Sequence, residues 1–330
     1  MSAPTSQTLE QPSQGRPDPV PAPRRLSRTG LTLTGLAAFL LVVAPLLHWY
    51  VLPAIRKTPI DSNITLVFTG SGTVFDTKTA AVSPVQQLTL TRHVVGNIAE
   101  SSSTRVALDI STQIDTEATL ALHDPRRSAQ WTVERWVTDR RTNLPVHSNG
   151  ETPFFSGEAY LKFPFGLAKR PYVYWDSTLG GTVTLDYQGT ASVNGRPGYR
   201  YGAVVGATKV GTQQVPGKLI GLPHSQLVVD RYYANRGFSV IVDPVTGTVM
   251  DARTQPLVTL RVSADGPDLL TLLGADLSMT AESRAGQVRT ATDSGRKLTL
   301  VGGTLPIIAG AAGLVCLLAA GALLRRRPAR

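Results

Sequence analysis

The sequence predicts a mainly β protein: an antiparallel β-rich domain, barrel or sandwich-like and with a short helix, flanked by one transmembrane helix at each end. Three observations predict it. Two uncharged apolar runs, residues 31–52 and 298–324, stand near the ends of the 330-residue chain. A helix rising ~1.5 Å per residue over either run crosses a bilayer core of ~30 Å. Between them, short stretches alternate apolar and polar residues with period two, separated by Gly, Pro and Asn clusters.

Residues 1–30 read as a disordered tail. Prolines recur there at Pro4, Pro12, Pro17, Pro19, Pro21 and Pro23, and such a segment cannot bury enough apolar surface to fold. The run 31–52 is longer than a signal-peptide core and no A-x-A site follows it, so it reads as a retained anchor. His48, Trp49 and Tyr50 form an interfacial belt, and Pro45 predicts a kink. Arg24, Arg25 and Arg28 precede the first span, and Arg325, Arg326, Arg327 and Arg330 follow the second. Opposite them stand Arg56, Lys57, Arg296 and Lys297. The positive-inside rule then puts both termini, including the basic tail 325–330, in the cytoplasm. Residues 56–297 lie outside a two-pass inner-membrane protein.

The exported part reads as strands in order. Ile64, Leu66 and Phe68 open the first, and Gly70-Ser71-Gly72 reads as the turn that ends it. Leu88, Leu90, Arg92 and Val94 share one face of the next, and Val106, Leu108 and Ile110 alternate in a third. Trp131, Val133 and Arg135 lie on one face of a fourth, with Trp136 on the other. Leu185 and Tyr187 mark a further strand, and Tyr199, Tyr201, Ala203 and Val205 follow the turn Asn194-Gly195. Strands are expected again at residues 227–233, 238–242 and 257–262, with a hairpin turn at residues 243–247. Asp265 to Leu273, with Pro267 at a first turn, reads as the short helix, and Ala275 to Thr292 as a helix leading into the second span.

Composition excludes several function classes. The net charge of +10 sits largely on the tails and leaves no dense basic stripe, so nucleic acid is not an expected partner. Cys316, inside the second span, is the only cysteine, which excludes an intramolecular disulfide and a Cys-ligated zinc site. His48, His93, His123, His147 and His224 show no metal-ligand spacing, and no metal or cofactor is expected. Walker, G-x-G-x-x-G and G-x-S-x-G patterns are missing. Asp109, Asp115 and Glu117 read as solvated faces and turns. No catalytic residue is therefore expected, and the protein reads as a non-enzyme; an envelope hydrolase whose site is assembled from distant residues is the alternative.

The densest aromatic cluster is Tyr160, Phe163, Phe165, Tyr172, Tyr174 and Trp175. It reads either as core packing or as the lining of an apolar cavity. On the second reading Tyr172, Tyr174 and Trp175 are the ligand-binding candidates. Strand alternation places Tyr172, Tyr174 and Asp176 on one face, and Val173 and Trp175 on the other.

Phe163-Pro164-Phe165-Gly166, then Tyr172-x-Tyr174-Trp175-Asp176, resembles a run in the actinobacterial PorA-like, porin-labelled membrane protein family. Arg231-Tyr232-Tyr233-Ala234-Asn235-Arg236 and Asp243-Pro244-Val245-Thr246-Gly247 are similar to later motifs of that family. The resemblance implies an envelope location in a high-GC Gram-positive bacterium, a channel by its label, and a part in envelope-lipid export by some relatives. Read residue by residue, Asp186, Asp230 and Arg231 on the strands fit a water-soluble domain, and helices rather than strands supply the spans. The expected function is a non-enzymatic envelope protein that binds an apolar ligand, an envelope lipid, or a membrane-protein partner. The alternative is a porin-like channel component. Ala309-x-x-x-Gly313 permits close packing of a partner helix in the second span.

Overall fold

The computed structural model describes residues 28–147, 150–223 and 225–325. The tail segments 1–27 and 326–330, and His224, lie outside the described residues. The chain divides into two units, residues 1–44 with 308–330, and residues 45–307.

The first unit is helical. Helix α1 (Arg28–Leu46) begins three residues before the predicted run, and α5 (Leu305–Arg325) forms most of the second. Gly313 lies where a Cβ would stand 3.0 Å from Leu41 Cγ and 3.3 Å from the Ala37 carbonyl oxygen. The small-residue stripe of the second span is thus taken up by the chain's own first helix, at Ala37, which is fully buried.

In the second unit a π turn, Leu47–Val51, leads to α2 (Leu52–Ile55). A matching π turn, Leu300–Thr304, lies just before α5. Both precede a proline, Pro53 and Pro306, which cannot donate to the carbonyl four residues back. For Pro306 that carbonyl is Gly302 O, and His48 Nδ1 bonds it at 2.9 Å. A backbone group freed by proline is so satisfied from the other helix, as an apolar environment demands.

The β strands follow in chain order: β1 (Asn63–Asp76), β2 (Ala81–Val82), β3 (Gln86–Asn97), β4 (Arg105–Thr116), β5 (Gln130–Asp139) and β6 (Tyr172–Asp176). Then come β7 (Gly181–Val193), β8 (Arg196–Val215), β9 (Leu227–Val242), β10 (Val249–Thr254), β11 (Pro256–Arg261) and β12 (Leu270–Met279). A one-turn helix, α3 (Glu117–Leu120), follows β4, and α4 (Ala281–Thr299) follows β12. The sheet order is β5-β4-β3-β1-β12-β10-β9-β8-β7-β6; β11 also pairs with β12 and β9, and β2 with β1. All these pairings are antiparallel. Residues 140–171 join the end strands. Thr152 bridges to Arg135 on β5, and Ala159 bridges to Tyr174 on β6. Tyr160 packs edge-on against Trp136 of β5 at 5.8 Å and lies 6.1 Å from Tyr174 of β6, so the sheet rolls round this segment.

Four expectations are corrected. Gly70-Ser71-Gly72 is the middle of β1, not a turn. A Cβ on Gly70 would sit 1.8 Å from the Asp276 carbonyl oxygen, and one on Gly72 2.4 Å from that of Gly274. The glycines allow β12 to approach, a role that glycine also takes inside strands. Asp265 to Leu273 is not a helix: Leu270 onward forms β12, which pairs with β1 from Phe68↔Met279 to Val74↔Leu273. Pairing on both edges overrides the helix preference of its leucines. The helix expected from Ala275 starts at Ala281, where the Thr280 side chain caps Ser283 N. Residues 227–242 are one strand, kept continuous by register shifts against β8 near Val205 and Lys209. The expected hairpins stand: Asn194 and Gly195 both take positive φ, 47° and 81°, and Gly247 N bonds Asp243 O at 2.9 Å.

Candidate functional site

Two apolar clusters fill the β domain. One is aromatic: Phe155, Phe163, Tyr172 and Tyr201 pack with Trp136, Leu185 and Val242. Phe163 and Tyr201 are fully buried there, with ring centroids 5.6 Å apart. The other is built by Phe68, Leu88, Leu90, Ile114, Leu273 and Met279. Between them lies a cavity of about 360 Å³ bordered by residues of both clusters.

One part of its wall is apolar, with Leu66, Phe68, Leu90, Ile114, Phe238 and Met279. The rest carries a polar belt. Inward alternation on β3 brings Arg92, on β5 Glu134, and on β9 Arg231, Tyr233 and Asn235. Tyr160 hydroxyl donates to Glu134 Oε2 at 2.7 Å and accepts from Ser177 Oγ at 2.8 Å. Tyr233 hydroxyl donates to Asp176 Oδ2 at 2.7 Å and accepts from Asn235 Nδ2 at 3.2 Å. Arg92 Nε donates to Thr112 Oγ1 at 3.1 Å, and its guanidinium lies 5.6 Å from the centroid of the Tyr160 ring.

The electrostatics fix donors. Burial pushes the Tyr160 and Tyr233 hydroxyls above the usual tyrosine range, aided by Glu134 and Asp176 respectively. Tyr174 moves the same way, through burial and those two carboxylates, against the pull of Arg92. Burial works against the charge of Arg92, but the field of Tyr160, Tyr174, Glu134 and Asp176 outweighs it and raises its pKa. Among the described residues three buried side-chain groups have no protein partner, Thr138 Oγ1, Trp175 Nε1 and Arg231 Nε, and the last two belong to residues that border the cavity. Leaving such groups unpaired is costly, so a polar acceptor belongs beside each.

Of the three residues expected to bind ligand, Tyr174 and Trp175 border the cavity. Tyr172 stands apart from it: its hydroxyl accepts from Ala168 N at 3.0 Å, and its ring packs on Phe163 and Tyr201. Trp175 does not point away from the core, as alternation expects. The segment around Phe155 and Ala159 covers that side of β6; Trp175 N bonds Ala159 O at 2.9 Å, and the indole meets Phe155 edge-on. Packing and lining are thus divided within one aromatic cluster. Arg92, Glu134, Asp176, Arg231 and Tyr233 were not singled out as site residues. The signal was there in a charge at an inward position, as in Leu88, Leu90, Arg92, Val94.

Among the described residues, no group of three or more His, Cys, Asp or Glu could hold a metal ion. Asp109 pairs with Arg135 at 2.6 Å, and Asp115, expected on a solvated face, is buried and accepts from Thr119 Oγ1 at 2.8 Å. No described His, Cys or Lys borders the cavity. The arrangement can enclose an apolar body and hydrogen-bond a polar end.

Helices long and apolar enough to cross a membrane accompany an antiparallel β domain around an amphipathic cavity, which together suggest a membrane protein. The sequence model of the porin PorA family matches residues 29–322, and the chain belongs to that family. A comparison with curated proteins gives no match.

Proposed function

We propose that this protein is a non-enzymatic envelope component whose β domain holds an amphipathic, mainly apolar ligand, an envelope lipid, in the cavity between its two clusters. The observation that carries the reading is the cavity itself, an apolar wall facing a belt of polar side chains, two of whose lining residues hold the buried, unpartnered donors Trp175 Nε1 and Arg231 Nε. Apolar area supplies affinity and a few placed polar groups fix orientation, the usual division in small-molecule sites. In this reading the protein crosses the inner membrane twice, with both termini in the cytoplasm and residues 56–297 outside. The arginines of both tails support that orientation.

Delipidated full-length protein should rebind lipid from an envelope extract, followed by tryptophan fluorescence. Trp175→Phe keeps an aromatic ring but loses the indole N–H and part of the buried ring, so it should weaken binding by at least about fivefold, the worth of one hydrogen bond. Failure to bind any envelope lipid sinks the proposal.

The family description favours a second reading, a channel component. It predicts ion conductance in planar bilayers through the β domain. The filled aromatic cluster around Phe163 and Tyr201 weighs against an open path, because both side chains are fully buried. Loss of conductance on enlarging a cavity residue, such as Ala252→Trp, would favour the channel.

A further inference from the structure

The segment leaving the first membrane helix meets a cluster of cations without counter-charge. Arg56 follows α2 directly, and its guanidinium carbon lies 5.5 Å from the centroid of the Phe165 ring. Lys162 Nζ lies 3.9 Å from the same centroid and donates to Thr58 Oγ1 at 3.0 Å. Arg140, at the end of β5, donates from Nε to Thr58 O at 2.8 Å and from Nη1 to Ser102 O at 3.2 Å. Among the described residues, none of the three has a carboxylate oxygen within 4.0 Å.

The cluster is built, not incidental. Gly166 takes φ 69°, and a Cβ there would lie 2.8 Å from Arg56 Nη2, so the loop closes tightly on the guanidinium. Phe165 is buried. One ring shared by two cations attracts both but does not cancel their repulsion. Burial also pulls the Lys162 ammonium down to titrate at about 7. An anion would relieve each of these costs.

The chemistry of that anion follows from the donors. Two guanidinium groups and an ammonium match the tetrahedral oxygens of a phosphate. Its source follows from position: Arg56 is the residue after a helix, Arg28–Ile55, that is apolar enough to cross a membrane. Basic side chains there stand at the level of lipid headgroups. We propose that Arg56, Arg140 and Lys162 form a docking site for the phosphate of an anionic phospholipid in the leaflet facing the β domain. This site is separate from the cavity, which none of the three residues borders.

The test uses full-length protein in nanodiscs of phosphatidylcholine, with and without phosphatidylglycerol. After transfer to detergent, native mass spectrometry reads the retained lipid. Wild type should retain phosphatidylglycerol in preference to phosphatidylcholine, and Arg56→Gln should cut that preference about fivefold, as expected for one basic group near the membrane surface. Lys162→Gln should do the same, whereas Lys209→Gln, in a surface pair with Asp230 at 2.7 Å, should leave it unchanged. Arg56→Gln guards against misfolding, since Arg56 is partly exposed. Equal retention of both lipids by wild type, or unaltered selectivity in folded Arg56→Gln, overturns the proposal. So does inorganic phosphate that reproduces the full thermal stabilisation in phosphatidylcholine while phosphatidylglycerol adds none.

Discussion

Replacing Lys162 by methionine is expected to stabilise the folded protein at and below neutral pH. Its ammonium titrates at 10.5 when free and at about 7 in the fold, because burial disfavours the charge. At roughly 1.4 kcal/mol per pH unit, the ceiling of that penalty is about 5 kcal/mol. Partial exposure and relaxation leave about 2 kcal/mol as the expected gain. The sign follows from proton counting. Between about 7 and 10.5 the unfolded chain holds the proton that the folded chain has released, so wild-type stability climbs with pH across that window. The penalty is complete below that window and gone above it. Lys162→Met carries no such titration, so its advantage should be largest near pH 6 and should close towards pH 10, as the linkage requires. Thr58 Oγ1 still donates to Asn143 Oδ1 in the variant, so no hydroxyl proton is stranded. The assay is thermal unfolding in a zwitterionic detergent free of anionic lipid, so that the cation cluster is empty. A variant less stable than wild type at low pH, or a difference that does not change with pH, refutes the reasoning.

Other perturbations test separate parts. Tyr160→Phe takes the 2.7 Å donor from buried Glu134, and should cost about 1–3 kcal/mol by thermal unfolding, the price of a buried unsatisfied acceptor. Gly70→Ala must push β1 from β12, since its Cβ would meet the Asp276 carbonyl oxygen at 1.8 Å; loss of folded protein is expected, while Gly206→Ala, with nothing within 4 Å, should be tolerated. His48→Phe leaves Gly302 O without its 2.9 Å partner and should lower the melting temperature in detergent by the equivalent of about 1 kcal/mol; no change would remove that contact from the account.

How much of this was legible in the sequence depended on whether local pattern and tertiary pairing agreed. They agreed for the apolar runs, for β3 and β4, and for the Asn194-Gly195 hairpin. They disagreed at Gly70, where two glycines looked like a turn and served instead as clearance for a neighbouring backbone. β12 was hidden because Leu269, Leu270, Leu272 and Leu273 carry helix preference, and only the partners β1 and β11 make them a strand. The cavity was half legible. Its aromatic content pointed to Tyr174 and Trp175, but Tyr172 packs in the core, and no local pattern separates lining from packing. The polar belt escaped because Arg92, Glu134 and Asp176 meet only when distant strands roll together.

The most direct test of the central claim is the native mass of gently purified full-length protein beside Trp175→Phe. The account predicts one amphipathic lipid mass retained per wild-type chain and less of it retained by the variant. A wild-type chain that carries no lipid in the β domain, or a lipid held equally well without the indole N–H, would contradict it.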